Sequence, residues 1–485
     1  MPTFANLYKY HKIPLLFILL SSIFYVTFAY DLARTNTAKL VLLYFGLFVF
    51  AFKIIKTTGF YFRVLVISAL LFRVLFLFSI PNLSQDFYRF IWDGRMLLQG
   101  FNPYLYTPDF FIQNNTFPVA QAQTLYNGMG ALSASHFTNY PPLNQLCFAI
   151  AGLFSGNSIL GSVVVMRVII IAADIGTLFF GKKLLERLKL PSNRIFWYIL
   201  NPFIIIELTG NLHFEGVMIF FLVWSFYLLH CGKWQWAAVV LACSISVKLI
   251  PLLFLPLFFW WFRQNLQIKK TVNLKFTDNK KPLNYALGNS TLKQKNKVTT
   301  FTGLTNLIYF YSIIVVTTVL LFLPFFSVEF ITNYSKTVGL WFGNFEFNAS
   351  IYYIIREIGY AISGYNEIKC ITKILPIISL LIILGVSFFK QNTSLPKLAT
   401  SILLAFTCYL FLSTTVHPWY IATGVILCVF TNYRFPLVWS LVVVLSYLAY
   451  SNSNATENLW IIGLEYVIVY SIFSYELLFK KANVS

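Results

Sequence analysis

The chain alternates long apolar runs with short polar connections over almost its whole length. An apolar run of about 18 residues or more is long enough to cross a bilayer as a helix. The pattern predicts an all-α, polytopic membrane protein. Its roughly 14 membrane-spanning helices are expected at 13–30, 38–55, 61–80, 158–180, 195–210, 214–230, 235–249, 251–263, 303–326, 371–389, 398–415, 419–431, 435–450 and 459–479.

Three connections are much longer than the rest, at 81–157, 264–302 and 327–370. The first and third are predicted on the outer side, and the first is expected to contain short interfacial helices. The middle one is rich in Lys, Asn and Thr, which is typical of a flexible basic loop. We treat 1–485 as a single transmembrane domain that carries these loops.

Composition and charge set the class and the orientation. Hydrophobic residues make up 58% of the chain, the mean hydropathy is +0.72 and charged residues are only 11%, whereas soluble domains carry roughly 25% charged residues. The net charge of +20 is explained by Lys and Arg in alternate loops, which are then cytoplasmic. Both termini are therefore predicted inside, in a bacterial inner membrane, and no nucleic-acid partner is expected.

Charge is concentrated directly after the third apolar run, in the stretch SQDFYRFIWDGRMLLQGFNPY at 84–104. On a helix, Asp86, Arg89 and Asp93 share one face. Intrahelical ion pairs in an interfacial helix explain this pattern as well as a reactive site does. In the second interpretation a carboxylate removes a proton from an attacking hydroxyl, and cations neutralise a lipid phosphate. The candidate side chains are Asp86, Arg89, Trp92, Asp93 and Arg95.

Further polar residues interrupt the later apolar runs. His213 and Glu215 lie in the segment GNLHFEG, and ionisable groups at membrane depth usually face a cavity. Lys248 precedes Pro251, where it either binds a phosphate or extends to the lipid headgroups. Arg167 and Asp174 share a face of one helix, for which we predict a structural role between helices.

Two candidate segments follow on the predicted outer side. WFGNFEFNAS, at 341–350, contains Glu346 and Asn348 and mixes aromatic rings with amides, which suits sugar rings but also interfacial belts. His417 begins the sequence His-Pro-Trp-Tyr at the outer end of a helix. The acids and histidines therefore gather on one predicted face, which indicates chemistry on a membrane-borne substrate.

In chain order, SQDFYRFIWDGRMLLQGFNPY, NYPPLNQ, GNLHFEGVM, VKLIPLLFLP, FNASIYYIIREIG and HPWY resemble bacterial polytopic mannosyltransferases of the GT-C glycosyltransferase superfamily. The resemblance covers about residues 60–425. It implies an outward-facing active site, a polyprenyl-phosphate sugar donor, most simply of mannose, and a lipid or glycan acceptor.

The resemblance also implies roles for individual residues. Asp86 matches the acid that serves as general base in an inverting transfer. The side chains expected to bind the donor phosphate are Arg89, Arg95, Lys248 and His417. The side chains expected to position donor or acceptor are Trp92, Asp93, His213, Glu215, Glu346 and Asn348.

Two departures from the family pattern matter. Relatives often show two adjacent acids where this chain has Gln85 and Asp86, so no metal or other cofactor is predicted, and a divalent-metal requirement stays open. Glu215 stands where relatives often have aspartate.

The alternative functions are a transporter or flippase for lipid-linked sugars, which would distribute acids along a central path, and a ligase that moves whole glycans from a polyprenyl diphosphate.

Overall fold

The computed structural model describes residues 12–58, 61–263, 290–343, 345–451 and 456–479. Within these ranges the protein is helical, and its single β-type contact is an isolated bridge between Phe347 and Thr415. The all-α prediction is therefore confirmed. Most of the predicted inner loop lies outside the described residues, and the chain resumes in a helix at Ser290.

The first half of the protein contains two long helices, a group of short helices, a third long helix and a broken helix. The α-helices are α1 (Lys12–Asp31), α2 (Thr37–Thr58), α3 (Phe62–Val74), α4 (Asp86–Leu98), α5 (Pro108–Gln113), α6 (Ala122–Ala134), α7 (Pro142–Ser155), α8 (Ile159–Arg187), α9 (Phe196–Ile199), α10 (Pro202–Ile204), α11 (Glu215–His230) and α12 (Trp234–Val247). A 3₁₀ turn at Ser192–Ile195 and a π-helical turn at Ile205–Gly210 flank α9 and α10.

The second half of the protein also combines long helices with shorter ones. Its α-helices are α13 (Ser290–Phe322), α14 (Val328–Gly343), α15 (Ile351–Ser363), α16 (Ile368–Phe389), α17 (Leu395–Leu412), α18 (Ala422–Val429), α19 (Phe435–Val442) and α20 (Leu459–Phe479). Short 3₁₀ helices occur at Ile250–Phe258, Leu323–Phe325, Pro418–Ile421 and Val443–Ser451.

Seven helices among the described residues are long and apolar enough to cross a membrane, and there are eight if the bent pair Pro202–Gly210 and Glu215–His230 forms one span. Large apolar side chains such as Leu42, Phe389 and Trp460 are exposed on these helices, as expected for surfaces in contact with lipid. The described helices therefore account for seven or eight membrane crossings and do not establish the 14 that the sequence predicts. Proline-containing and 3₁₀ segments divide several predicted runs into helices of 10–17 residues, which sequence hydropathy alone does not register.

Two buried arginines join α3, α8 and the π-helical turn at Ile205–Gly210. Arg73 forms an ion pair with Asp174 at 2.7 Å, and both side chains are almost fully buried. Arg167 donates to four backbone carbonyls, those of Leu77, Ser79, Thr209 and Gly210, at 2.8–2.9 Å. These carbonyls follow α3 and end the π-helical turn, where helix geometry leaves them without partners. The predicted structural role of Arg167 and Asp174 is confirmed.

The loop 81–157 folds into the short helices α4 to α7, none of which is among the candidate spans. Helix α4 packs closely against α7 at Gly94, where an added Cβ atom would lie 2.2 Å from the carbonyl oxygen of Phe148. The rings of Phe90 and Phe148 stack beside this crossing with centroids 4.6 Å apart. This packing fixes the position of α4 and of the carboxylate at its first residue.

Candidate active site

Asp86 is the first residue of α4 and is partly buried. Its backbone amide donates to the hydroxyl of Ser84 at 3.3 Å. The preceding segment is held at two further points. The backbone amide of Leu83 donates to the Asn211 side chain at 3.1 Å, and the side chain of Asn82 bonds the turn after α1. The carboxylate is therefore carried on a fixed stretch of backbone that contacts the 210–214 turn.

Glu215 and Lys248 form an ion pair beside Asp86. Glu215 begins α11, the second half of the bent pair, and Lys248 directly follows α12. Their charged atoms are 3.0 Å apart, with Glu215 fully buried and Lys248 about one-fifth exposed, at 18%. The Lys248 ammonium also lies 5.0 Å from the ring centre of Tyr140, in cation–π geometry. Lys248 is therefore held between a carboxylate and an aromatic ring while part of its side chain stays exposed.

The surroundings of Asp86 favour its neutral form more than water does. Burial raises the pKa of this carboxyl, the Lys248 ammonium lowers it, and the Glu215 carboxylate raises it. The resulting pKa is about 6, compared with an ordinary value of 3.8. A carboxylate with a pKa near 6 is still ionised at neutral pH and is a stronger proton acceptor than an ordinary aspartate.

Two histidines and a tryptophan form the adjoining wall. The His213 and Trp419 rings are 3.7 Å apart at 18°, and the His417 and Trp419 rings are 4.5 Å apart at 8°. Two nearly parallel imidazoles this close to one indole would collide on the same face, so they lie on opposite faces of Trp419. The Nε2 atom of His213 lies 3.8 Å from a carboxylate oxygen of Glu207. The same carboxylate accepts a hydrogen bond from the Tyr447 hydroxyl at 3.0 Å.

Arg89 and Asp93 lie in a structural network within α4 to α7. Arg89 pairs with Asp93 at 2.7 Å and donates to the carbonyls of Ser133 and His136 at 2.6 and 2.8 Å. Asp93 also accepts a hydrogen bond from Gln145 at 3.1 Å. The pairing considered from the sequence is therefore present, and both side chains are buried.

Trp92 and Arg95 are directed away from Asp86. Trp92 is fully buried, and its indole N–H donates to the sulfur of Met96 at 2.9 Å. Arg95 donates to the carbonyl of Ala120 at 2.6 Å and lies nine residues along α4 from Asp86, a rise of about 13 Å. The structure does not bring either side chain to the Asp86 cluster.

Glu346 and Asn348 belong to the second predicted outer loop, and their side chains bond to partners outside the Asp86 cluster. Glu346 accepts hydrogen bonds from Tyr352, Arg356 and Asn366 at 2.5–2.7 Å. Burial alone would raise the pKa of Glu346, but these donors and the Arg356 charge hold it below its ordinary value. Asn348 is fully buried and donates from its side chain to Glu465 at 3.2 Å.

The aromatic neighbours of these two residues do reach the Asp86 side of the molecule. The rings of Phe345 and Phe347 lie 5.7 and 5.4 Å from that of His417. This loop thus contributes rings to the border of the site, while Glu346 makes contacts within the loop and Asn348 joins the loop to α20.

The side chains gathered around Asp86 are Tyr140, His213, Glu215, Lys248, His417, Trp419 and Tyr420. Sequence reasoning predicted four of these partners, namely His213, Glu215, Lys248 and His417. It missed the aromatic ones, although Trp419 and Tyr420 stand beside His417 in the same motif. Among the described residues, no group of three His, Cys, Asp or Glu side chains is arranged to hold a metal ion.

The many long apolar helices indicate a polytopic membrane protein, and a carboxylate and a buried ion pair come together at the ends of its shorter helices. A family model described as "Alpha-(1->6)-mannopyranosyltransferase, N-terminal domain" matches residues 20–264, just over half of the 485-residue chain. The protein belongs to this mannosyltransferase family, as the resemblance of its motifs predicted. The match includes Asp86, Glu215 and Lys248.

One curated relative is alpha-(1->6)-mannopyranosyltransferase A of Mycobacterium tuberculosis (strain ATCC 25618 / H37Rv). The identity is 22% over 189 residues, which are 39% of this chain and 35% of the relative. The match therefore spans about one third of the relative's length.

Proposed function

We propose that the protein is an integral-membrane mannosyltransferase that moves mannose from a polyprenyl-phosphate donor to a hydroxyl group of a lipid or glycan acceptor. The observation that supports this most is the placement of Asp86 beside the Glu215–Lys248 ion pair in a chain of this family. A base and a cation close together are what transfer from a phosphate leaving group needs.

In the proposed step, the acceptor oxygen attacks the anomeric carbon of the mannosyl group. The new C–O bond forms as the bond from that carbon to the phosphate oxygen breaks, and the phosphate leaves with the electron pair. Asp86 takes the acceptor proton. One displacement by one base inverts the anomeric configuration, so the site needs no second carboxylate as a nucleophile.

The phosphate gains one negative charge when it departs. Lys248 supplies the positive charge that acts on Asp86. His417 also lies within range of the Lys248 charge. Glu215 holds Lys248 in position through their 3.0 Å contact. His213, fixed against Trp419, faces the donor or acceptor sugar in this scheme. Arg89 and Arg95 provide general positive charge only, because Arg89 is paired with Asp93 and Arg95 lies about 13 Å along α4 from Asp86.

For topology, we propose that the shorter apolar helices complete further crossings, toward the 14 expected from hydropathy. The site then faces the periplasm, and both termini are cytoplasmic. This orientation is supported by the basic residues at the C-terminal end of α8, including Lys182, Lys183 and Arg187, which the positive-inside rule places in the cytoplasm.

The test uses purified protein in liposomes, radiolabelled polyprenyl-phosphate mannose and a glycolipid extract from cell envelopes. Wild type is compared with Asp86→Asn and with Asp109→Asn. Asp109 is a matched control because it lies in the same loop and instead accepts a hydrogen bond from Tyr126 at 2.6 Å.

We expect wild type and Asp109→Asn to form labelled products, whereas Asp86→Asn retains less than about 1% of the rate, since general-base catalysis contributes 10²–10⁴-fold. An active Asp86→Asn enzyme would contradict the assignment of the base. Label that crosses the membrane without joining an acceptor would instead identify a flippase.

A further inference from the structure

The turn between α1 and α2 lies against the segment that carries Asp86. The side-chain amide of Asn82 donates to the carbonyls of Phe28 and Leu32 at 2.7 and 3.1 Å. Asn82 precedes Asp86 by four residues, so the end of α1 and the turn after it are tied to the beginning of the candidate active site. Arg34 lies in this turn.

The Arg34 guanidinium is placed by an aromatic ring. It lies 4.5 Å from the ring centre of Tyr450, within cation–π distance. The Tyr450 ring is 6.4 Å from that of Phe347, which in turn lies 5.4 Å from His417. Tyr450 is also within range of the charges of both Arg34 and Asp86. Arg34 is therefore connected to the cluster through Tyr450, Phe347 and His417.

The charge of Arg34 is not neutralised by a protein carboxylate. In the described part of the chain, no carboxylate lies within ion-pair distance of Arg34, whereas Lys39 of the same hairpin pairs with Asp31 at 2.6 Å. Near Asp86, the Lys248 charge is opposed by Glu215. Two carboxylates and one ammonium leave the cluster with a negative balance, which disfavours an anionic substrate unless another cation contributes.

We propose that Arg34 binds the phosphate of the isoprenoid substrate together with Lys248. This inference rests on the proposed function and specifies which part of the substrate the N-terminal hairpin contacts. A guanidinium presents two parallel N–H donors to phosphate oxygens, and Tyr450 holds its plane in position. When the bond from mannose to the phosphate oxygen breaks, the phosphate takes the electron pair, and Arg34 shares the added negative charge with Lys248.

Binding is measured separately from transfer. Purified wild type, Arg34→Gln, Arg34→Lys and the control Lys39→Gln are titrated with a polyprenyl phosphate, with the matching uncharged polyprenol and with phosphatidylglycerol, and thermal stabilisation is recorded. We expect Arg34→Gln to weaken polyprenyl-phosphate binding at least about tenfold, as for loss of a charge-assisted hydrogen bond. Polyprenol binding should be unchanged, which also reports a folded protein, and Arg34→Lys should recover part of the loss.

Unchanged polyprenyl-phosphate binding by Arg34→Gln would overturn the proposal, as would an equal loss in Lys39→Gln. An equal loss for phosphatidylglycerol would overturn it in favour of a general headgroup contact. If wild type binds the polyprenyl phosphate through Arg34 but transfers no mannose, the proposed function fails and the phosphate site stands. If transfer proceeds and Arg34→Gln binds the polyprenyl phosphate normally, the proposed function stands and the Arg34 phosphate site fails.

Discussion

The pH dependence of transfer gives the sharpest test of the Asp86 environment. With a pKa of about 6, Asp86 is about 90% ionised at pH 7 and about 10% ionised at pH 5. A general base works only when ionised, so the rate should be nearly constant above pH 7 and should fall as pH decreases through 6. The expected loss between pH 7 and pH 5 is about tenfold.

Two substitutions should move this midpoint in opposite directions. Lys248→Met removes the cation that lowers the Asp86 pKa, so the midpoint should rise. Glu215→Gln removes a like charge and frees Lys248 to act on Asp86, so the midpoint should fall. Each shift should be about one unit, the lower end of the range for charges close to a carboxyl group.

The assay follows kcat/KM for the donor from pH 4.5 to 8.5, because this ratio reports the ionisation of the free enzyme. Lys39→Met serves as the control, since Lys39 pairs with the exposed Asp31. Shifts of the same sign in Lys248→Met and Glu215→Gln would refute the electrostatic argument. A wild-type profile that stays flat down to pH 5 would refute the environment assigned to Asp86.

Three further substitutions test the supporting structure. Asp93→Asn should lower the free energy of unfolding by about 3–5 kcal/mol, because it leaves Arg89 buried without its charge partner; thermal unfolding in detergent measures this. Trp419→Ala removes two ring contacts of about 0.5–1.5 kcal/mol each, so kcat/KM should fall roughly 5- to 150-fold, and an equal rate in Trp419→Phe would show that stacking suffices. Asp174→Asn should destabilise the protein by about as much as Asp93→Asn without moving the pH midpoint, and a shifted midpoint would contradict its structural role.

Local sequence pattern located much of the candidate site because its central residues interrupt or border apolar runs. Asp86, Glu215 and Lys248 are conspicuous in such surroundings, since ionisable groups near a membrane persist only when they pair or face a cavity. Trp419 carried no such signal, because aromatic residues are common throughout this chain. Its role depends on His213, some 200 residues earlier, and no local pattern reports that pairing.

The predictions that the structure did not bring to the site have identifiable causes. Arg95 and Trp92 follow Asp86 in the sequence, but helix rise and rotation direct them into the packing of α4. Glu346 has the composition of a sugar ligand, yet Arg356, ten residues later, engages it. Hydropathy identified the apolar segments and the boundary at Pro251, but it missed the break at Pro202 inside the predicted helix 195–210, so it could not separate a full span from a bent helix there.

The buried contact between Arg73 and Asp174 has a consequence for how the protein is made. The two residues are 101 positions apart, so at about 5–20 residues per second the ribosome completes Arg73 roughly 5–20 s before its partner. An ionised side chain in apolar surroundings is costly until it is paired. The ion pair that joins α3 to α8 therefore forms only after translation supplies Asp174, so the packing of these two helices is a late step in making the protein.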